Sequence, residues 1–135
     1  KPDKVAVWNP QQWAKFYSRV WNGKPCLLFG APYDDVMLHA VGEELKQLKI
    51  YAGIESCVSA AEAVRFLRSA SQFIGYQSGL GIVADAYDVP QIMIDWEWLK
   101  PMKYAWCKPG HAQGLFRAFT FDQDPETVAC EIPKP

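Results

Sequence analysis

No long apolar run occurs in the sequence. A helix that spans a bilayer needs about 20 consecutive apolar residues; nothing in the 135 residues approaches that, and the opening Lys1-Pro2-Asp3-Lys4 lacks the apolar core of a signal peptide. A soluble, cytoplasmic chain with no membrane span is therefore expected. An excess of one charge is also lacking. The 14 basic and 15 acidic residues leave a formal net charge of −1 and form no Lys/Arg run able to neutralise a series of phosphates, which excludes a nucleic-acid groove. Cysteine is sparse: Cys26, Cys57, Cys107 and Cys130 stand far apart with no C-x-x-C pair. Zinc sites of the usual spacing are excluded, reduced thiols are expected, and neither a metal nor a cofactor is implied. There is no G-x-G-x-x-G fingerprint, no P-loop lysine, no internal repeat and no low-complexity segment.

Aromatic side chains, in contrast, are plentiful. Half the residues are hydrophobic and 21% are charged, a globular composition that predicts one domain over residues 1–135. Aromatics reach 14% with six Trp, more than a core of this size needs, so part of them is expected at an interface or ligand site.

The hydrophobic pattern alternates between two periods. Residues 11–21 place Trp13, Phe16, Tyr17, Val20 and Trp21 on one helical face, with Asn9 as cap and Pro10 in the first turn. The run Cys26-Leu27-Leu28-Phe29 before Gly30 suits a strand buried on both faces. Residues 34–48 form a second amphipathic helix with Asp34 and Asp35 as its cap. A weaker strand over 54–58, a helix over 60–69, a strand over 72–75, a helix over 80–87 and a strand over 91–94 follow. Strand and helix thus alternate four times, which predicts an α/β domain: a Rossmann-like parallel sheet with helices on both faces. Beyond Asp95 the stretch holding Trp96, Trp98, Pro101, Tyr104, Trp106 and Pro109 has no sustained period. A further strand over 116–121 and a short helix over 125–130, capped by Asp124, complete the chain.

In open α/β sheets ligands bind beyond the carboxyl ends of the strands. The loop Gly75-Tyr76-Gln77-Ser78-Gly79-Leu80-Gly81 is the most informative there. Its glycines admit close backbone approach, a positive φ is expected at Gly79, and N–H groups at a helix start accept an anion. Glycines that only shape a turn would give the same pattern. Glu55, at a predicted strand end, could meet ribose hydroxyls or be a solvated edge residue. Asp85 is placed in the first turns of its helix, where dipole complementarity alone would account for it. Ser78, Asp95 and His111 follow the chain order of an α/β-hydrolase triad, but Ser78 does not stand in a G-x-S-x-G elbow. His39 and His111 suit surface or packing roles.

The run Phe73-Ile74-Gly75-Tyr76-Gln77-Ser78-Gly79-Leu80-Gly81-Ile82-Val83-Ala84-Asp85-Ala86, followed by Val89-Pro90, resembles ADP-heptose heptosyltransferases of glycosyltransferase family nine. Trp8 and Trp13 around Asn9-Pro10-Gln11-Gln12, the run Leu28 to Asp34 through Gly30, and Ser59 with Glu62 are similar to that family in the same order, over roughly residues 5–110. The chain differs where the family carries an acidic residue, here Gln77, and usually a histidine, here Ile82. The resemblance implies the C-terminal, donor-binding half of a GT-B fold. Gln77, Ser78, Gly79, Leu80, Gly81, Asp85, Glu55 and Gly30 are the expected ligand-binding residues, and a nucleotide sugar is the expected ligand. No catalytic residue is assigned, because the acceptor-binding half with its general base has no counterpart in the sequence, and the chain alone is not expected to transfer sugar. Trp96, Trp98, Tyr104 and Trp106 are the expected interface, with a second copy or a missing N-terminal domain. The alternative is a non-enzymatic interaction or oligomerisation domain that reuses the fold.

Overall fold

In a computed structural model the chain is α/β, with parallel strands joined by helices as in Rossmann-like folds. The structure describes residues 7–76, 79–95 and 115–133. The chain divides into two compact units, one of Val7–Val58 with Gln123–Pro135, the other of Lys1–Ala6 with Ser59–Asp122.

The first unit opens on a helix start that is visible in five consecutive residues. Helix α1, Pro10–Val20, has Pro at its first position, and Asn9 forms a reciprocal capping box with Gln12. The Asn9 side chain accepts from the Gln12 amide at 2.8 Å, and the Asn9 amide donates to the Gln12 side chain at 2.9 Å. Trp8, one residue before the cap, packs edge-on against Trp13 at 5.0 Å between ring centroids. This is a hydrophobic staple fixing the angle at which the chain enters the helix. Strand β1, Cys26–Phe29, pairs in parallel with β2, Ala52–Glu55, in the register Cys26↔Ala52 to Phe29↔Glu55. The crossover is α2, Asp35–Gln47, preceded by a 3-10 turn, Pro32–Asp34. Ala14, Val41, Leu45 and Ile50 form the core here, with Trp13, Tyr17, Leu28 and Met37 packed against them. A Cβ at Gly42 would lie 3.0 Å from Ile54 Cδ1, so glycine lets α2 approach β2 closely. A terminal helix, Pro125–Cys130, packs on α1 and is capped by Asp124, which accepts from the Glu126 and Thr127 amides.

In the second unit the strands Phe73–Gly75 (β3), Gln91–Asp95 (β4) and Phe116–Thr120 (β5) form one parallel ladder with β4 in the middle. All five β4 residues are buried, as the near-continuous apolar run of a central parallel strand requires. Helix α3, Ala60–Ser69, packs against α4, Gly79–Ala86, and α4 packs against β3 and β4.

Two helices end in the same way. Lys49 at φ 65° and Asp88 at φ 56° are left-handed residues just past α2 and α4. Behind α2 the Ile50 amide donates to the Leu45 carbonyl at 2.9 Å and the Lys49 amide to Lys46 at 3.0 Å; behind α4 the Val89 amide donates to Ala84 at 2.9 Å and the Asp88 amide to Asp85 at 3.1 Å. These are paired Schellman motifs, each with a buried aliphatic residue, Ile50 or Val89, as the hydrophobic contact.

Helix α3 carries a second capping box, in which the Glu62 amide donates to Ser59 Oγ at 3.1 Å and the Ser59 amide donates to Glu62 Oε1 at 3.2 Å. Those bonds from Ser59 hold the Glu62 carboxyl below its ordinary 4.5. A carboxyl depressed in the folded state stabilises above its unfolded pKa and stops doing so as the pH falls through the lower folded value. In an NMR titration Ser59→Ala, which keeps the amide that contributes most and removes the hydroxyl, should bring Glu62 part of the way back up toward the ordinary value. An unchanged Glu62 titration in that variant would refute the share assigned to the hydroxyl.

Candidate functional site

The carboxyl edge of β4 and β5 brings together the polar side chains of Asp95, Thr120 and Asp122. Asp95 ends β4 and is only 1% exposed; it stands in register with Thr120 at the end of β5, which is 6% exposed. The Asp95 carbonyl accepts from the Phe121 amide at 2.9 Å, and the Thr120 hydroxyl makes a short hydrogen bond to Asp122 Oδ1. Asp122 is exposed, and an ionised carboxylate holding one hydroxyl proton retains acceptor capacity. Gly75 ends β3 beside them in sheet order, and the chain then enters α4 at Gly79.

Gly79 is exposed, and a Cβ built there meets nothing within 4 Å. It is the first residue of α4, and the positive φ expected of it is not found; among the described residues Gly23 is the glycine in that region. The space around Gly79, and not a special dihedral, is what leaves this helix start approachable. Leu80 is half-buried and Gly81 buried. The Gly81 carbonyl accepts from the side chain of Gln91, itself 2% exposed, at 3.0 Å. That bond pins the first turn of α4 to the start of β4.

Asp85 is not in the first turn of this helix but the seventh of its eight residues. A rise of about 1.5 Å per residue puts it about 9 Å along the axis from Gly79. The negative end of the helix dipole disfavours a carboxylate there, the reverse of the expected complementarity, and its Oδ1 is buried without a hydrogen-bond partner. The structure therefore separates Asp85 from the loop it was grouped with. Gln77 and Ser78 lie outside the described residues, as do Trp96, Trp98, Tyr104, Trp106 and His111.

Gly30 and Glu55 belong to the other unit, at the carboxyl edge of β1 and β2. The Gly30 amide donates to the Glu55 carbonyl at 3.1 Å, while the Glu55 side chain is exposed. Asp34 does not cap α2 with its side chain. Its Oδ2 accepts from the Ala31 amide at 3.0 Å, and a Cβ at Gly30 would come within 2.7 Å of that oxygen. Glycine at 30 is thus required by the folded-back Asp34 carboxylate, a local reason sufficient in itself. Tyr33 on the same turn is 87% exposed, and Val36 at the start of α2 is 82% exposed.

Cys26 is not poised as a nucleophile. Cys26, Cys57 and Cys130 are free. Burial pushes the Cys26 thiol up, and burial together with the hydrogen bond to Cys26 pushes the Tyr17 phenol well above its ordinary value, so both stay neutral at physiological pH. A groove of about 520 Å³ along α1 and α2 is lined by Gln11, Lys15, Ser18, Arg19, Glu44 and Gln47. Its cations already face Glu126, Arg19 at 2.8 Å and Lys15 at 3.6 Å, and no strand end opens into it. Among the described residues no cluster of His, Cys, Asp or Glu could hold a metal ion, and no helix is long and apolar enough to cross a membrane.

Asp95 is the site residue that sequence reasoning undervalued. Its signal was the apolar run Ile92-Met93-Ile94 ending in a carboxylate, the position where a doubly buried strand reaches its ligand-binding edge. Compared with known proteins, the chain matches no family model, no curated protein and no solved structure.

Proposed function

We propose that the chain is a nucleotide-sugar-binding domain of glycosyltransferase type, which needs an acceptor-binding partner to complete a reaction. The observation that carries this reading is the open helix start at Gly79, set directly after a parallel strand whose neighbour ends in the buried Asp95. A diphosphate lies against the backbone N–H groups at the start of α4, drawn by the positive end of the helix dipole. Asp122 accepts from sugar hydroxyls at the same edge. With no Lys or Arg between residues 69 and 99, the affinity is near millimolar, about 4 kcal/mol of binding free energy.

Titrating the chain with nucleoside diphosphate sugars should shift the amide resonances of Gly79 and Leu80. Gly79→Val should weaken binding about tenfold or more, since the side chain fills the space the anion uses. The fold should persist, because that space is otherwise empty. Unchanged affinity in Gly79→Val, or no amide shift at millimolar ligand, refutes the reading. The exposed Tyr33 and Val36 favour a second reading, an interaction domain that binds no nucleotide sugar, and the same titration separates the two.

A further inference from the structure

The turn between α1 and β1 holds one of two asparagines in the chain, Asn22, followed by Gly23; the other, Asn9, precedes Pro10. Asn22 is exposed, and its Oδ1 accepts from the backbone amide of Lys24 at 3.0 Å. The Trp21 indole donates to the Lys24 carbonyl at 2.8 Å, so Lys24 is held from both sides. Gly23 has φ 82° and open space where a Cβ would be. From these contacts we infer that Asn22 is a site of spontaneous deamidation that the folded turn promotes.

The Gly23 backbone nitrogen gives up its proton to solvent and attacks Asn22 Cγ. The new N–Cγ bond closes a five-membered succinimide, and the Cγ–Nδ2 bond breaks, Nδ2 leaving as ammonia with a proton from water. Water then opens the ring at either carbonyl, giving aspartate or isoaspartate. No oxidant or reductant takes part. Negative charge develops on Oδ1 during the attack, where the Lys24 N–H already donates, so the turn acts on this carbonyl as an oxyanion hole acts on an acyl group. Gly23 removes the side chain that would block the nitrogen. Asn9 is a built-in control: the nitrogen of Pro10 carries no proton, and the Asn9 side chain is engaged as the cap of α1. The modified chain carries one more negative charge than the native chain, whose net charge is −1, and, as isoaspartate, an extra backbone methylene before β1.

Incubation of the full chain in mildly alkaline buffer, with peptide mass spectrometry, tests the inference against the same chain unfolded in urea. The peptide holding Asn22 should gain the mass of an NH-for-O exchange, while the Asn9 peptide and an Asn22→Gln variant should not. Gly23→Ala should slow the gain about tenfold or more. A folded-state rate above that of the urea-unfolded chain supports the promoting role of Lys24; an equal or lower folded-state rate overturns it.

Discussion

Phe16→Ala should cost about 3–5 kcal/mol, the range for emptying a fully buried aromatic site. Phe16 is 0% exposed, and its ring meets Trp8 at 5.3 Å between centroids with a 52° tilt. Trp8 in turn packs edge-on against Trp13, so Phe16 supports the staple that holds the start of α1 as well as the core beneath it. Aromatic pairs contribute about 0.5–1.5 kcal/mol beyond their buried area, which places the loss toward the upper half of the range. A domain of this kind is stable by about 5–15 kcal/mol, so the variant should show a large shift in denaturant midpoint. Phe16→Leu, which keeps most of the volume, should lose much less. A loss below about 1 kcal/mol for the alanine variant would mean that the site collapses around the smaller side chain or that Phe16 is not in the core.

Met93→Ala should come close behind, at about 2–5 kcal/mol. Met93 is 0% exposed in the central strand, and its register partners are Gly75 on one side and Ala118 on the other. Side chains in register on parallel strands rise from the same face. Between two small neighbours Met93 therefore fills space that no adjacent residue in its row can reclaim. A Cβ on Gly75 would already crowd the Phe73 ring at 3.0 Å, so that neighbour cannot be enlarged in compensation. Met93→Leu, nearly equal in volume, should cost under about 1.5 kcal/mol. If the alanine and leucine variants unfold at the same denaturant concentration, the row is not packed as described.

The parts of the fold that were legible in the sequence are those whose causes are local. Helix α3 and the terminal helix begin and end at the expected residues, because Ser59 with Glu62 and Asp124 with Pro125 are caps written within four positions. Strand β2 was expected over 54–58 and lies at Ala52–Glu55. Its ends are set by hydrogen bonding to β1, across the whole of α2, and the alternation of Ala52, Gly53, Ile54 and Glu55 says nothing of that register. Asp34 misled for a related reason. A carboxylate before a helix reads as its cap, but Asp34 also ends a 3-10 turn and its carboxylate folds back to the Ala31 amide. The helix expected over 80–87 lies at Gly79–Ala86, one residue earlier, and in either range Asp85 stands in its second half. Placing Asp85 in the first turns was a misreading of position within the helix, and six residues separate the anion-attracting end from the repelling one.

The paired joints behind α2 and α4 bear on how quickly the chain can fold. A parallel ladder gains its hydrogen bonds only after an entire crossover has been ordered, which makes such sheets slow to nucleate. Here the crossovers from β1 to β2 and from β3 to β4 end in a clasp of consecutive residues, Leu45 to Ile50 and Ala84 to Val89, whose bonds need no partner strand. Either clasp can close on the timescale of helix formation and reverse the chain before β1 or β3 has found its neighbour. The search for register is then left to short segments already aimed along the sheet.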